Sequence, residues 1–473
     1  MENRRSRCPG CRRISCDGCG MYEKKPTPGD GGKQLKKLNT NKQIREEFPK
    51  GFEVKPGEGT GISFDVGTTT LAGMLWDLKK GILLDAETDS NPQAVFGADI
   101  ISRIQAARKD DDLKRMQAVL AGKLDEMAQI MAGGRNICKA VFVGNTAMCE
   151  ILLGIKPSGL FKAPFTPDYN KTVRMKGRKL GFCFLKDADI LVLPPVGGYV
   201  GSDALAVYSC VNMEAPEKNI LAVDIGTNGE ILLRCGKGSY ACSAAAGPAL
   251  EGGAVSFGMR AARGAIDMVS LNGSFPMEDV VCRVIGGGVP SGICGSGLVD
   301  ALAALLKAGV LDDTGYIRSA SEARLAGVSG KICRRIRTGD KGQKFLLTEE
   351  SHPVYITSED VRHLQLAISA LRSGMEVLLQ KAGLGVEELD GIYLAGAFGC
   401  YIGIDSALAA GLCPAKAKIV QAGNLAGVGS AMALLSETAL EKMEAESREI
   451  VHVELAEEED FKEKFLTYMN FKI

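Results

Sequence analysis

A short strand–turn–strand unit occurs twice in this chain, and that recurrence constrains its fold more than any other feature. GISFDVGTTTLAGMLWDL (Gly61–Leu78) and NILAVDIGTNGEILLRC (Asn219–Cys235) each place two apolar runs around a tight Asp-x-Gly-Thr turn. Runs of this kind read as buried strands, with glycine marking a sharp reversal. The two turns lie about 160 residues apart, so the spacing predicts a duplicated fold with one hairpin opening each half. The rest alternates short apolar strands with helical patterns, the signature of an α/β protein. A polar helix is expected over Asp99–Met131, a strand over Lys139–Gly144 leading into a helix near Asn145, a strand in DILVLPPV and a helix over Tyr199–Val211. Farther on, Ser358 is expected to cap a long amphipathic helix lined by Val361, Leu364, Ile368, Leu371 and Met375. GIYLAGAFG then reads as a strand entering a Gly loop, and GNLAGVGSAMALLS as a Gly-rich turn feeding a closely packed helix.

The turns carry chemistry as well as geometry. A glycine without Cβ lets backbone N–H groups approach phosphate oxygens, and neighbouring hydroxyls add donors. Gly67, Thr68 and Thr69 in the first turn and Gly226, Thr227 and Asn228 in the second are therefore candidate phosphate contacts. Asp65 and Asp224, each at the end of its strand, can hold Mg²⁺ directly or through water. One such turn could be a bare hairpin, whereas two at equivalent places favour phosphate. Glu230 could position an attacking water or be a solvated strand residue, and Arg260 and Arg263 could meet phosphates, an acidic partner or only solvent. His352, His363 and His452 are scattered and read as structural or solvated, and the acidic stretch from Glu441 onward reads as a solvated helical face.

Composition narrows the class. Lys+Arg and Asp+Glu both number 57 of 473 residues, which argues against a general nucleic-acid binder. No apolar run reaches the roughly 20 residues of a spanning helix, and Met1–Arg7 is not followed by a signal-like apolar stretch. A cytoplasmic protein without membrane contact is expected. Of 15 cysteines, eleven are scattered and read as small buried side chains, but Cys8, Cys11, Cys16 and Cys19 fall within CPGCRRISCDGC. Two C-x-x-C pairs four residues apart put four thiolates within reach of one centre, and a cubane iron–sulfur cluster or a tetrahedral zinc both fit.

These turns resemble those of the actin-like ATPase (ASKHA) superfamily, which includes sugar kinases, chaperones and dehydratase activators. VFVGNTAMCEILLG and LPPVGGYVGSDALA stand where that superfamily connects its lobes, LAGAFG (Gly396, Ala397, Phe398, Gly399) where its adenosine loop lies, and GNLAGVGSAMA where its second connecting helix lies. The resemblance implies two ribonuclease-H-like lobes closing on Mg–ATP, with Asp65, Asp224 and Glu230 as catalytic candidates. GNTAMCEILLGIKPSGLFKAPF, SAAAGPALEGGAVSFGMRAARGAI, ICGSGLVDALAALLKAGVLD and YLAGAFGCYIGI are more specifically similar to the reductive activators of corrinoid proteins. That resemblance, over roughly 61–436, implies ATP-driven electron transfer from an iron–sulfur centre to Co(II) of a corrinoid protein, or the corrinoid subunit of a methyltransferase, restoring Co(I). It further implies a low-potential electron donor; the oligomeric state stays open, a homodimer being one alternative. The family usually carries a longer ferredoxin-like domain, where this sequence shows only the Cys8–Cys19 knot; cluster type and donor stay open. An activator of another low-potential iron–sulfur enzyme, or a small-molecule kinase with a structural zinc knot, are the competing expectations.

The expected organisation is a four-cysteine metal-binding segment over 1–22, a Lys/Pro/Gly linker over 23–58, a first lobe over 59–215, a second over 216–445 and a tail over 446–473. Deleting residues 1–25 removes four thiolates and no strand of the body. The truncated chain is expected to stay soluble and bind ATP yet transfer no electron; loss of ATP binding would make the segment part of the core. An anaerobically purified full chain should be brown and bleached by dithionite, whereas a zinc knot would leave it colourless.

Overall fold

Each repeated hairpin is the nucleus of a six-stranded sheet. In the first sheet, β1 (Thr60–Val66) pairs antiparallel with β2 (Thr70–Asp77), and β2 pairs with β3 (Ile82–Ser90). On the other side β1 runs parallel to β4 (Ile137–Gly144), and β5 (Val173–Lys176) and β6 (Asp189–Val192) complete the order β3-β2-β1-β4-β6-β5. The second sheet repeats the plan with β7 (Ile220–Ile225), β8 (Gly229–Cys235), β9 (Gly238–Ala244), β10 (Gly391–Ala395), β11 (Ile419–Gly423) and β12 (Val451–His452). Its order is β11-β10-β7-β8-β9-β12: again the hairpin gains an antiparallel strand on one side and a parallel strand on the other, with β12 added parallel to β9 at the edge. This computed structural model describes residues 48–340, 342–349, 351–399, 401–414 and 418–471. Cys8, Cys11, Cys16, Cys19, residues 23–47 of the linker and Cys400 lie outside them; the rest of the expected linker is not a free tether, because Phe48 packs by Trp76 and Lys55 N–H donates to Leu435 O. Two small three-stranded sheets, spanning 265–293 and 336–357, are inserted into the second half.

Central strands buried on both faces need helices on both sides. On one face of the first sheet lies α1 (Asp110–Ala132), which presents Met116, Leu120, Leu124, Met127 and Met131 to Ile62, Phe64 and Phe142. Asp110, Asp111 and Asp112 occupy its first turn, where the helix dipole favours negative charge. The continuous helix expected from Asp99 is therefore two: Asp99 caps a short helix, Ile100–Ala106, and the acidic triplet starts a second after an extended Lys109. In the second lobe α4 (Ser358–Ala382) packs on β8 and β9 of the sheet, and α3 (Gly295–Lys307) packs on the inserted strand Ala265–Asn272. The cap of α4 is Thr357, not Ser358, because Thr357 Oγ accepts from Asp360 N–H and the Asp360 carboxylate accepts from Thr357 N–H in return.

The two sheets are joined through α2 (Ser202–Glu214) and α5 (Leu425–Leu435), which lie against each other between them. Their shared core takes Met74, Trp76, Val141 and Val143 from the first sheet and Ile220, Ala222, Leu232 and Ala241 from the second. Glycine makes the approach possible: a Cβ on Gly429 would collide with the backbone of Ala206, and one on Gly427 would sit 2.7 Å from Met74 Cε. Behind them runs α6 (Glu437–Glu449). It is not wholly solvated, because Glu446 is buried and accepts from Ser209 Oγ and Asn212 Nδ2 of α2. His452 packs on Gly197 and Gly198 of the first lobe, a further contact across the junction.

Two glycine substitutions of opposite sign follow. Gly429→Val overpacks the α2–α5 contact and should cost about 1–3 kcal/mol. Gly122→Ala, at an exposed α1 position with nothing within 4 Å of the new Cβ, should stabilise by roughly 0.5–1 kcal/mol. Urea unfolding midpoints check both.

Candidate functional site

The two Asp-x-Gly-Thr turns lie near each other, close enough for Asp224 of the second to act on Asp65 of the first. In the first turn a Cβ on Gly67 would lie 2.5 Å from Thr70 O, so the reversal admits only glycine without adjustment. Two asparagines hold this turn from behind. Asn91 donates its side-chain amide to Gly67 O and its backbone N–H to Thr69 O, both at 2.9 Å. Asn145 caps the helix Thr146–Leu152 with its oxygen and donates its amide to Thr68 Oγ at 3.0 Å. Because Thr68 Oγ accepts that bond, its own O–H is left to seek another acceptor.

The second turn is tighter. Gly226 N–H is spent on Asn228 O at 3.0 Å, and Thr227 Oγ donates to Glu251 Oε2 at 2.5 Å. Asp224 stands beside Glu230 in the β7–β8 register, and Glu230 is buried, with Ser243 Oγ 3.5 Å away; the solvated alternative for Glu230 does not hold. β10 runs parallel to β7 and pairs Ala395 with Asp224. Gly396 follows at a φ of +78°, and a Cβ there would strike Asp224 Oδ1. The LAGAFG segment thus abuts the second turn, but as a short helix, Gly396–Gly399, and not an open loop. The Phe398 ring is buried against Gly295 at the start of α3, so only its backbone remains for a ligand.

Four carboxylates act on one another here. Asp65 is pushed well above the usual carboxylate range by burial and then by Asp203 and Asp224, against a hydrogen bond from the Asn424 side chain. Asp203, in the first turn of α2, is raised from 3.8 to about 7 by burial and Asp224. Asp224 rises from 3.8 to about 6 through burial and Glu251. Glu230 is raised by burial, Asp203 and Asp224. Such a set of hard oxygen donors suits Mg²⁺. Among the described residues no three Asp, Glu, His or Cys side chains converge closely enough to hold a metal ion directly. Asp203, Glu251, Asn91, Asn145 and Asn424 were not among the candidates from sequence. Asp203 looks like any acid in a helical first turn, and each asparagine looks like a cap.

Comparisons with known proteins agree with this architecture. Residues 218–473 match the C-terminal domain of RACo, the ASKHA domain, and residues 60–216 match the RACo middle region. The chain is 32% identical over 455 residues to the corrinoid activation enzyme RamQ of Eubacterium limosum, covering 92% of this chain and 74% of that one. It is 30% identical over 278 residues to the Co(II) methylated amine-specific corrinoid protein reductase of Methanosarcina barkeri, covering 55% and 46%. A solved reductive activator for corrinoid, iron-sulfur protein superposes with a TM-score of 0.75 at 31% identity, over 87% of this chain and 66% of that one. The fold is the ASKHA fold, and the chain spans from about half to three quarters of the length of these relatives. No helix among the described residues is long and apolar enough to cross a membrane.

The carboxylate cluster sets a pH signature. Raised acids bind more protons folded than unfolded, so their contribution to stability is greatest below their ordinary pKa of 3.8 and declines as pH rises through about 6 and 7. Without metal, Asp224→Asn should therefore melt higher than the parent near pH 8, by about 2–4 °C, with the gap narrowing as pH falls below about 6 and closing only below 3.8. Mg²⁺ should raise the parent more than the variant, read by calorimetry with and without EDTA.

Proposed function

We propose that this chain, which belongs to the RACo family of corrinoid activators, binds and hydrolyses Mg–ATP between its lobes and uses that step to drive an electron onto Co(II) of a corrinoid protein. The observation that carries the reading is the meeting of Asp65 and Asp203 from one lobe with Asp224 and Glu230 from the other around two glycine turns. A site shared in this way is assembled only when the lobes approach. Its occupant must bring positive charge to the carboxylates and acceptor oxygens to the turns, and Mg–ATP does both.

The parts divide as follows. The freed Thr68 O–H and the backbone of the two turns bind phosphate oxygens, while Asn91 and Asn145 keep the first turn in shape. Asp65, Asp203, Asp224 and Glu230 would hold Mg²⁺ through water, and the ion would supply charge neutralisation along the phosphates. Once such a cation lowers its raised pKa, Glu230 can orient the attacking water. The backbone of Gly396–Gly399 stands beside Asp224 on the side where the nucleoside would lie.

At the other end, Cys8, Cys11, Cys16 and Cys19 form a four-thiolate set of the kind that holds an iron–sulfur cluster, which when bound supplies a one-electron donor. Reduction of Co(II) to Co(I) needs a potential below that of ordinary cellular donors. A transfer of this kind proceeds only if the complex with the partner differs in free energy between two conformations and ATP hydrolysis switches them. The α2–α5 junction, where glycines let two helices touch, is the element on which the lobes can turn. A low-potential donor recharges the chain after each transfer.

Co(II) reduction, followed by visible absorbance, should require ATP, Mg²⁺, the reduced chain and a corrinoid protein together. Cys11→Ser should abolish reduction and keep nucleotide affinity within a few-fold. Asp65→Asn should do the reverse, with an unchanged cluster spectrum and ATP-dependent reduction lowered roughly hundredfold or more. Phosphate appearing on a small metabolite, with no corrinoid reduced under any donor, would overturn the reading.

A further inference from the structure

The segment from Glu251 to Arg260 touches the surroundings of both turns. At its start Glu251 takes the Thr227 hydroxyl at 2.5 Å, with its other oxygen 4.0 Å from where a Cβ on Gly226 would be. At its end Arg260 Nη1 donates to Ser90 Oγ at 3.0 Å. Ser90 is the last residue of β3 and precedes Asn91, which holds Gly67 O in the first turn. One strap of ten residues thus runs from the second turn to the support of the first, crossing from one lobe to the other.

The strap is folded back on itself under constraint. Gly252 has a φ of +81°, a Cβ there would lie 2.7 Å from Met259 O, and a Cβ on Gly258 would strike Gly252 O. Ala254 sits at a φ of 55°, the left-handed region that L residues other than Gly, Asn and Asp seldom occupy. Ser256 is tied by N–H and Oγ to Asp360 at 2.8 and 3.1 Å, which anchors the middle at the start of α4. The half between Glu251 and Ser256 is thus held at one end by its anchor and at the other by the Thr227 bond.

We propose that Glu251 is a positioning residue for the nucleotide step: it withholds the Thr227 hydroxyl from the cleft until a γ-phosphate competes for it, and its release passes along the strap to Arg260 and the first turn. This rests on the ATP reading given above. A short O–H···O⁻ bond is strong, but its acceptor carries the same charge sign as an incoming phosphate. The two cannot both stand at the turn without repulsion. A γ-phosphate can take the hydroxyl and displace the carboxylate, whereas a nucleotide lacking it leaves the Glu251 bond in place. The differential contact between ATP and ADP that any switch requires is then located in one hydroxyl.

The test uses the full chain with Mg²⁺ and either the non-hydrolysable analogue AMPPNP or ADP, reading hydrogen exchange at the amides of Gly252, Gly253 and Gly258 together with both affinities. AMPPNP, and not ADP, should speed exchange of these amides in the parent. In Glu251→Ala, which removes the acceptor, they should exchange fast without nucleotide, AMPPNP should add no further change, and the preference for AMPPNP over ADP should rise roughly tenfold. Thr227→Val releases Glu251 from the other side and should give the same fast exchange but lose the preference, while Thr227→Ser should restore parental behaviour. If Glu251→Ala does not fold, the Thr227 pair decides. Mg-dependent AMPPNP binding that leaves the strap unchanged, or AMPPNP and ADP acting alike, would overturn the proposal and spare the ATP site. Absence of binding of either nucleotide would instead remove the ATP reading and the proposal with it.

Discussion

Four carboxylates that repel one another stand in a single cleft, and the scaffold around them exists to keep them there. Burial raises Asp65, Asp203, Asp224 and Glu230, helped by repulsion among them and, for Asp224, by Glu251. Alone, that arrangement costs free energy, because an ionised carboxylate loses hydration and gains like-charged neighbours. Under the Mg–ATP reading proposed above, a divalent cation would offset that cost.

Holding such a cluster needs backbone close to backbone, and glycine provides it where it matters. The contact of Gly429 with Ala206 lets α2 and α5 lie against each other, carrying Asp203 at one helix start and Asn424 at the other toward Asp65. Gly396 does the same for β10 against Asp224. The apolar core between the sheets is continuous across both lobes, so a change of lobe angle must repack α2 against α5. A packed interface of this kind favours discrete arrangements over gradual deformation.

Much of this architecture was legible before any coordinates. The alternation of apolar runs and the doubled Asp-x-Gly-Thr turn are local signals, and β1–β2 and β7–β8 form where they occur. Helix ends were less legible. Thr357 and Ser358 are both good caps, and only the reciprocal bond with Asp360 selects the first. The break after Ala106 depends on three acids preferring a fresh N-terminus, which apolar periodicity alone does not register. The four-cysteine segment lies outside the described residues, so it stands on its spacing alone.

By itself the sequence determined the two hairpins, the class of fold and the residues at the two turns, because a tight reversal and a buried strand are specified by residues adjacent in the chain. Tertiary structure alone decided the rest of the cleft. Asp203 becomes part of it because α2 starts there, Glu251 because its loop returns to Thr227, while the Phe398 ring packs against Gly295 and leaves only its backbone toward the turn. These assignments rest on pairs such as Asp65 with Asp203, or Ser90 with Arg260, that stand 138 and 170 positions apart. An acid's charge is written in its side chain, but its pKa and its partner depend on which distant residues the fold brings within a few ångströms.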